Sequence, residues 1–278
     1  MLIWVNGELV PASEARVNVL DHGLTVGDGV FETLKVVHGV PFALQRHLDR
    51  LGRSASGMGL PEPDDELIRK AVGDVLAELG APPLARMRIT YTGGVAPLGS
   101  GRGDAAPTVI IACTPVEPYA PTTAVATVPW RRNERGATTG LKSTSYAENV
   151  IALARANELG ASEALVANTR DRLCEGTGSN VFVVVGGRLL TPPLESGCLA
   201  GITRQLVLEW TDAEEADLGL EVLDEAEEIF LTSSVRDVQA VHAVIHDDGR
   251  RRELTAPGPV TIRAAAEFAR RGAETSEP

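Results

Sequence analysis

The segment LCEGTGSNVFVV at residues 173–184 places a carboxylate where an unpaired charge would be costly. Glu175 stands among small residues directly before an apolar run that has the pattern of a buried strand. A carboxylate that is removed from water is unfavourable unless a charged partner compensates it. The segment therefore predicts a cation close to Glu175.

Two segments further along the chain have the pattern of helix starts that can bind an anion. LAGITR at 199–204 places Gly-Ile-Thr where a helix opens, and LTSSVRD at 231–237 offers a second such start. The unpaired backbone N–H groups and the dipole of a helix favour a phosphate at such a position. We expect a phosphate-bearing ligand here.

Upstream, Lys142 is followed by the small hydroxyl-bearing run STSY at 143–146. By itself such a lysine is more typical of a solvated loop than of a catalytic amine. A lysine, a buried carboxylate and an anion site together, however, are what pyridoxal 5'-phosphate requires, because the cofactor needs an amine, a partner for its ring nitrogen and a phosphate site. The combination predicts this cofactor and no metal.

Two glycine-rich segments could be mistaken for nucleotide-binding loops. In GATTGLKS at 136–143, Leu141 separates the glycine from the lysine, so the amides and the lysine do not converge as they do in a P-loop. GTGSN at 176–180 lacks the third glycine of a dinucleotide loop and precedes a strand instead of a helix. We therefore expect no nucleotide cofactor.

A longer signature extends from Glu175 to the helix start. Its residues agree in type and order with a known family pattern: Glu175, Asn180, Phe182, Leu189, Thr191, Leu199, Gly201, Ile202 and Arg204. GDGVFET at 27–33 and RHLDRL at 46–51 agree with further motifs of the same family. Over nearly its whole length the sequence resembles the class IV aminotransferases, which include branched-chain and D-amino-acid aminotransferases and aminodeoxychorismate lyase.

The resemblance implies a role for each matching residue. Lys142 would carry the cofactor covalently and shuttle a proton, Glu175 would pair with the ring nitrogen, and Tyr146 would hydrogen-bond the phenolic oxygen. The phosphate would be held by Arg50, Ile202, Thr203 and Ser234. Without the resemblance, the pattern around Arg50 is that of a surface helix arginine.

Other charged residues are expected to be structural. His22 and His47 are lone histidines, and the acid–base work of the family falls to the lysine. The run Trp130-Arg131-Arg132 stands beside a strand end, where it could bind a substrate carboxylate, but the pattern favours a solvated charged loop balanced by Glu134.

The residues that contact the substrate are indicated by strand position and by charge. Phe31, Thr33 and Met87 belong to strands expected to line the site, and Arg236 is a candidate for holding a substrate carboxylate. GDGVFET resembles the D-amino-acid and lyase branch more than the branched-chain branch. The Arg-x-His pair that holds the carboxylate in D-amino-acid aminotransferases is replaced here by Thr92 and Gly94.

Several activities remain open on this basis. We favour transfer of an amino group between a D-amino acid and a 2-oxo acid, followed by aminodeoxychorismate lyase and then branched-chain aminotransfer, with amine transamination as a further alternative. A protein of another class, a catalytically silent binding protein on the same fold, would be suggested by loss of Lys142 or Glu175. Both residues are present.

The apolar periodicity predicts an α+β chain with two domains. Antiparallel strands are expected around Asn6-Gly7 and over 30–37, and amphipathic helices at 44–60 and 64–79. Beyond a cluster of prolines we expect strands at 124–128, 163–168 and 180–185 and helices at 147–159 and 202–210.

The proline cluster also predicts the domain organisation. We expect a smaller α/β domain at 1–117, a linker at 118–122 and a larger domain at 123–278 that binds pyridoxal phosphate. The resemblance implies the fold type IV architecture of the D-amino-acid aminotransferases, in which the larger domain is barrel-like and the cofactor lies between the domains.

The resemblance further implies a homodimer in which each subunit helps to complete the neighbouring active site. The glycine-rich segment 95–103 has few apolar residues with which to close a pocket alone. We expect it to lie near the site of the partner. The alternative is a mobile surface loop.

Composition restricts the class of partner. A formal net charge of -12 argues against nucleic acid and membrane surfaces, so small amino acids and 2-oxo acids are the expected substrates. No apolar run reaches membrane-spanning length, the N-terminal segment lacks a secretion pattern, and the three cysteines lack metal spacing. We predict a cytoplasmic enzyme.

Overall fold

In the computed structural model, which describes all 278 residues, the chain forms two compact units. The first contains Met1–Pro118, Leu141–Tyr146 and Glu277, and the second contains Tyr119–Gly140, Ala147–Ser276 and Pro278. The α+β, two-domain architecture expected from the sequence is confirmed.

The segment Leu141–Tyr146 differs from the expected division, which placed all of 123–278 in the larger domain. It clusters with the first unit because its backbone pairs with a strand there. Phe31 N donates to Lys142 O at 2.9 Å, and Thr144 N donates to Gly29 O at 2.8 Å. The lysine is therefore held by the first unit.

The first unit is built on one antiparallel sheet of six strands in the order β2-β1-β6-β5-β3-β4. Its elements are β1 (Leu2–Val5), β2 (Glu8–Pro11), α1 (His22–Thr25), β3 (Gly29–Val37), β4 (Val40–Pro41), α2 (Leu44–Gly57), α3 (Asp65–Leu79), β5 (Ala85–Thr92) and β6 (Thr108–Pro115). Helices α2 and α3 confirm the two predicted amphipathic helices.

The two faces of β3 and β5 have different surroundings. Side chains alternate across a strand, so residues two apart share a face. Leu34 on β3 and Met87 on β5 are paired in register and fully buried in the core that includes Leu48 and Leu51 of α2. Phe31 and Thr33 therefore lie on the face opposite this core.

The second unit contains a mixed sheet of nine strands that curls into a half-barrel. Eight strands follow the order β12-β11-β10-β13-β14-β7-β8-β9, and β15 pairs with β14. The strands are β7 (Thr122–Arg132), β8 (Glu163–Asn168), β9 (Leu173–Gly176), β10 (Asn180–Val185), β11 (Arg188–Thr191), β12 (Glu214–Glu215), β13 (Glu228–Ser233), β14 (Asp237–Ile245) and β15 (Arg251–Glu253).

The helices of the second unit are α4 (Ala147–Glu158), α5 (Ile202–Trp210), α6 (Val222–Glu225) and α7 (Pro259–Glu274), with a single 3-10 turn at Leu194–Ser196. Strands β8 and β10 and helices α4 and α5 confirm their predictions to within a residue. Strand β7 is longer than expected and continues to Arg132. None of the helices combines the length and the apolar character needed to cross a membrane.

Candidate active site

Lys142 is fixed by its backbone beside β3. Its carbonyl accepts from Phe31 N, its own N–H donates to Ser54 Oγ of α2 at 3.2 Å, and Ser143 forms a bridge with Val30. This arrangement brings the amine Nζ to 4.5 Å from the centre of the Phe31 ring. The predicted lysine therefore lies against the predicted strand.

Arg88 approaches the same aromatic ring. Its guanidinium carbon lies 3.8 Å from the centre of the Phe31 ring, and the Tyr146 ring meets Phe31 edge-on at 5.3 Å. The Arg88 side chain is exposed, but neighbouring atoms displace part of its water, and this partial burial lowers the pKa of Arg88. The charge of Tyr146 acts in the opposite direction and raises that pKa by less. Its Nε donates to Thr90 Oγ1 at 3.1 Å, and no carboxylate of the chain pairs with it.

Arg88 was not among the residues singled out in the sequence, and it occupies the place expected for Met87. Met87 faces the opposite side of the sheet and is fully buried beneath the helices, so the structure does not support its predicted contact with a substrate. Arg88 pairs with Thr33 in the β3–β5 register. The alternation of charged and apolar residues in ARMRIT could have indicated this face.

On the helix side of β3, three buried side chains form one cluster. Glu32 accepts from Arg50 Nε at 2.8 Å and from Arg50 Nη2 at 2.6 Å, and Glu32 Oε2 lies 2.6 Å from His47 Nδ1. All three residues are almost completely buried. The two hydrogen bonds from Arg50 to Glu32 fix the orientation of the Arg50 guanidinium.

The electrostatics of this cluster follow from burial and pairing. Burial raises the pKa of Glu32, but the charge and hydrogen bonds of Arg50, together with His47, outweigh it and lower that pKa to about 2. Burial lowers the pKa of His47. The charge and hydrogen bond of Glu32 partly offset this effect, and the positive charges of Arg50 and Lys142 lower the pKa further. Glu32 is thus ionised and His47 neutral, with Nδ1–H donating to the carboxylate.

In the second unit, Glu175 is buried on β9 with donors at both carboxylate oxygens. Leu199 N donates to Oε2 at 2.9 Å, and Arg132 Nη2 lies 3.4 Å from Oε1. Arg132 also donates to Asn149 Oδ1 at 3.0 Å. The cation predicted near Glu175 is therefore Arg132.

This corrects the expectation that Arg132 belongs to a solvated loop. Strand β7 extends as far as Arg132, and Arg132 pairs with Asn168 of the neighbouring strand β8. The residue therefore belongs to the sheet and not to a loop. Arg131, its neighbour, pairs instead with the exposed Asp171 at 2.8 Å.

The turn after Glu175 is held by a second buried carboxylate, that of Glu163. Thr177 N donates to Glu163 Oε1 at 2.9 Å, and Ser179 Oγ donates to Oε2 at 3.1 Å. Arg236 Nη2 lies 3.3 Å from the same Oε2, and Nη1 donates to Gln239 Oε1 at 2.7 Å. Arg236 thus has a buried counter-ion of its own, which argues against its expected role in holding a substrate carboxylate.

The start of helix α5 is shaped for an anion. Gly201 is the N-cap and no side chain caps the helix, so the first-turn N–H groups have no acceptor within the helix. A Cβ at Gly201 would lie 2.0 Å from Asn180 Oδ1, and Asn180 Nδ2 donates to Leu199 O at 2.9 Å. Only glycine allows the chain to approach Asn180 so closely.

Further donors of the second unit suit the same kind of ligand. Ile202 and Thr203 are buried in the first turn of α5. The second helix start predicted at 231–237 was wrong, because Ser234 lies in the turn between β13 and β14, near the buried Thr232 hydroxyl that has no hydrogen-bond partner. An amine, a buried carboxylate with donors at both oxygens, and an uncapped helix start are the groups that pyridoxal phosphate needs. The residues present therefore fit this cofactor.

Comparison with known proteins decides the family. Residues 29–244 match the family model described as amino-transferase class IV. The chain belongs to this family. It is therefore an enzyme of the class IV aminotransferase type, whose cofactor is pyridoxal 5'-phosphate, and this confirms the resemblance and the cofactor predicted from the sequence.

Among the similar proteins are enzymes named for two different substrates. A putative branched-chain-amino-acid aminotransferase of Methanocaldococcus jannaschii is 34% identical, covering 96% of this chain and 95% of its own. A D-alanine aminotransferase of Bacillus licheniformis is 30% identical over 94% and 93% of the two chains. The names of these relatives therefore leave the substrate open.

Solved structures agree with the fold. A branched-chain aminotransferase of Thermoproteus uzoniensis with norvaline superposes with a TM-score of 0.89 at 30% identity, covering 97% of this chain and 94% of that one. A hypothetical aminotransferase of Mycobacterium tuberculosis in its PLP-bound form gives 0.85 at 27% identity over the whole of both chains. The fold type IV architecture is confirmed.

Proposed function

We propose that this enzyme moves an amino group between an aliphatic amino acid and a 2-oxo acid, with Lys142 as the proton-transferring amine and Arg88 as the group that binds a substrate carboxylate. The observation that carries the proposal is the Phe31 ring, which lies 4.5 Å from Lys142 Nζ and 3.8 Å from the Arg88 guanidinium. Arg88 approaches the same aromatic ring as the amine and has no carboxylate partner in the chain, which suits an anionic substrate.

The roles proposed for the cofactor-binding residues are those that the family resemblance implies. Lys142 would attach the cofactor, Glu175 would face its ring nitrogen, and Tyr146 would hydrogen-bond its phenolic oxygen. The phosphate would be held by Arg50, Ile202, Thr203 and Ser234. When bound, the cofactor supplies a ring that withdraws electrons from the substrate amine and its Cα.

Lys142 is the base and then the acid in this scheme. Its amine would take the proton from the substrate Cα and deliver it to the cofactor carbon bonded to the substrate nitrogen within the same half-reaction, and the second half-reaction would reverse these two transfers. Phe31 covers the amine with an apolar surface, which limits access of water to Nζ. Arg88 orients the substrate through its carboxylate, so that the Cα hydrogen faces the lysine.

Thr92 and Gly94 stand where D-amino-acid aminotransferases carry the Arg-x-His pair, and their surroundings indicate that the substrate carboxylate is bound elsewhere. Thr92 Oγ1 donates to Asp21 Oδ2 at 3.0 Å and is part of the fold of the first unit. Gly94 has φ +73°, and a Cβ there would lie 2.2 Å from Ala106 O. A histidine would not fit at this position.

For this reason we rank branched-chain donors above the D-amino acids that the sequence favoured. Position 88 supplies a carboxylate-binding cation without the Arg-x-His pair. D-Alanine transfer and aminodeoxychorismate cleavage are the alternatives.

A substrate panel tests the proposal. The holoenzyme is mixed with L-valine, L-leucine, L-isoleucine, D-alanine or aminodeoxychorismate, and the loss of the bound-cofactor absorption is followed in a single turnover. We expect conversion with the branched-chain donors and its reversal by the matching 2-oxo acids. Conversion by D-alanine alone would support the D-amino-acid alternative, and no conversion by any amino acid would contradict transamination.

Arg88→Met should lower kcat/KM for the amino acid and the 2-oxo acid by roughly 10- to 100-fold, because a hydrogen bond to a charged group contributes about 1.5–3 kcal/mol. The kcat/KM of Arg88→Lys should lie between those of the wild type and Arg88→Met, since an ammonium keeps the charge but not the bidentate geometry. Arg86→Met on the same strand is the matched control and should have little effect. Unchanged steady-state kinetics in Arg88→Met would contradict the assignment.

We further propose that the enzyme is a homodimer with shared sites. Exposed apolar side chains cluster where 20–26 meets 95–98, including Leu24 at 67% and Leu98 at 79% exposure. The two segments are joined by the Asp21–Val95 bridge and by Ala96 N donating to Leu20 O at 3.2 Å. A second copy of the chain is the occupant that the family implies for such a surface.

The double variant Leu24→Asp/Leu98→Asp should sediment as a monomer and lose most of its transaminase activity, because two charges would have to be buried in the interface. Leu67→Asp, an exposed leucine of α3, is the control and should leave the dimer intact. A wild-type monomer that is fully active at assay concentration would overturn the shared-site proposal.

A further inference from the structure

Arg132 is held next to Glu175 by neighbouring elements of the second unit. It lies on β7 and pairs with Asn168 of β8, whereas Glu175 lies on β9 and pairs with Val166 on the other side of β8. The side chain of Asn149 in α4 accepts from Arg132 Nη2 at 3.0 Å, and its Nδ2 donates to Thr177 O at 2.6 Å. Asn149 therefore ties the arginine to the turn that follows Glu175.

This arrangement carries an energetic cost in the folded chain. Arg132 Nε is buried and has no hydrogen-bond partner. A buried donor without an acceptor costs about 1–3 kcal/mol. Its other ion pair, with the exposed Glu148 at 3.8 Å, is long and solvated and so offsets little of this cost. Stability alone does not account for an arginine in this position.

The carboxylate of Glu175 is largely shielded from water, because only 9% of the residue is exposed. In such surroundings a carboxylate beside a ring nitrogen can exist in two forms. The proton lies either on the nitrogen, facing a carboxylate anion, or on the carboxyl oxygen, facing a neutral nitrogen, and low polarity favours the neutral form.

We propose that Arg132 is a positioning residue that keeps this proton on the cofactor ring nitrogen instead of on Glu175. The inference rests on the proposed pairing of Glu175 with the ring nitrogen. The guanidinium lies 3.4 Å from Oε1 and Leu199 N–H donates to Oε2 at 2.9 Å, so both donors stabilise the carboxylate anion. Arg132 is closer to the Glu175 carboxylate than to a ring nitrogen that is hydrogen-bonded to that carboxylate. Its attraction for the carboxylate anion therefore exceeds its repulsion of the protonated nitrogen, and the net effect favours the ionised form of both groups.

The experiment measures the proton directly. Holoenzyme is prepared with cofactor labelled with ¹⁵N in the ring, and the chemical shift of that nitrogen is recorded for the wild type, Arg132→Met, Arg132→Lys and Arg131→Met. We expect a protonated nitrogen in the wild type and in Arg131→Met, a signal moved towards neutral pyridine in Arg132→Met, and partial rescue in Arg132→Lys. The ratio of the two forms should change by about tenfold or more.

Arg131→Met is the matched control because Arg131 is adjacent on the same strand and contacts Asp171 instead of Glu175. Asn149→Ala is a second variant, which loosens Arg132 without removing its charge, and should move the signal in the same direction by less. Rapid-mixing kinetics should show slower removal of the Cα proton in Arg132→Met, with KM for the 2-oxo acid little changed.

The outcomes separate the inference from the function on which it rests. A ring nitrogen that stays protonated in Arg132→Met, in protein that melts like the control, would overturn the role of Arg132. Glu175→Gln tests the underlying pairing, because a neutral amide cannot stabilise a protonated ring. If Glu175→Gln also left the nitrogen protonated, the proposed role of Glu175 would fail instead.

Discussion

Replacing Lys142 with alanine should lower transaminase turnover by about four orders of magnitude or more, because the variant loses both the covalent attachment and the proton-transferring amine. The measurement is single-turnover absorbance with the best amino donor. In the wild type, borohydride should fix the cofactor to the peptide that contains Lys142, and mass spectrometry of the digest identifies it.

Lys70→Ala is the control for this experiment. Lys70 is exposed on α3, where it pairs with Asp74 at 2.7 Å, and it has no proposed role in the reaction. It should retain full turnover. Cofactor fixed to a peptide containing Lys70 or Lys35, or near-normal activity of Lys142→Ala, would contradict the assignment.

Arg50→Met should have the largest effect on stability, because it leaves Glu32 as a buried carboxylate whose remaining hydrogen-bond partner is a neutral histidine. Breaking a buried ion pair by removing one partner costs about 3–5 kcal/mol. The variant should also bind the cofactor more weakly if Arg50 contacts the phosphate. Denaturant unfolding of the apoenzyme and cofactor titration measure the two effects separately.

Two further variants distinguish these effects. Arg53→Met removes an exposed arginine one turn along α2 and should change neither property. The double variant Arg50→Met/Glu32→Gln removes the unpaired charge, so it should regain part of the lost stability while cofactor affinity stays low. Recovery of both properties would show that Arg50 acts only through Glu32 and does not hold the phosphate.

The helices and most strands could be predicted because their signals are local. The apolar residues of α2 repeat at helical spacing, and those of β10 form a continuous buried run, so a short window of sequence contains the required information. Family motifs likewise pointed to Lys142, Glu175 and Arg50 as the candidate cofactor residues. Each belongs to a short motif whose neighbours are diagnostic.

The partners of these residues could not be predicted in the same way. Glu32 and Arg50 are 18 positions apart and meet only when α2 packs on the sheet. Arg132 meets Glu175 across β8, and Arg236 meets Glu163 from the turn between β13 and β14. Sequence periodicity gives the face of a strand but not the element that will cover it, so Arg132 was expected in solvent and Arg236 at the substrate.

By itself the sequence determined the family and the cofactor and proposed the residues that hold it, because pyridoxal phosphate requires a lysine, a carboxylate and an anion site and the family carries them in recognisable motifs. Only the tertiary structure decided which cations pair with a carboxylate of the chain and which does not. Arg50, Arg132 and Arg236 each meet a buried carboxylate, whereas Arg88 lies on Phe31 without one. Pairing between distant segments depends on packing, and the cost of burying an uncompensated charge selects the partners when the chain folds.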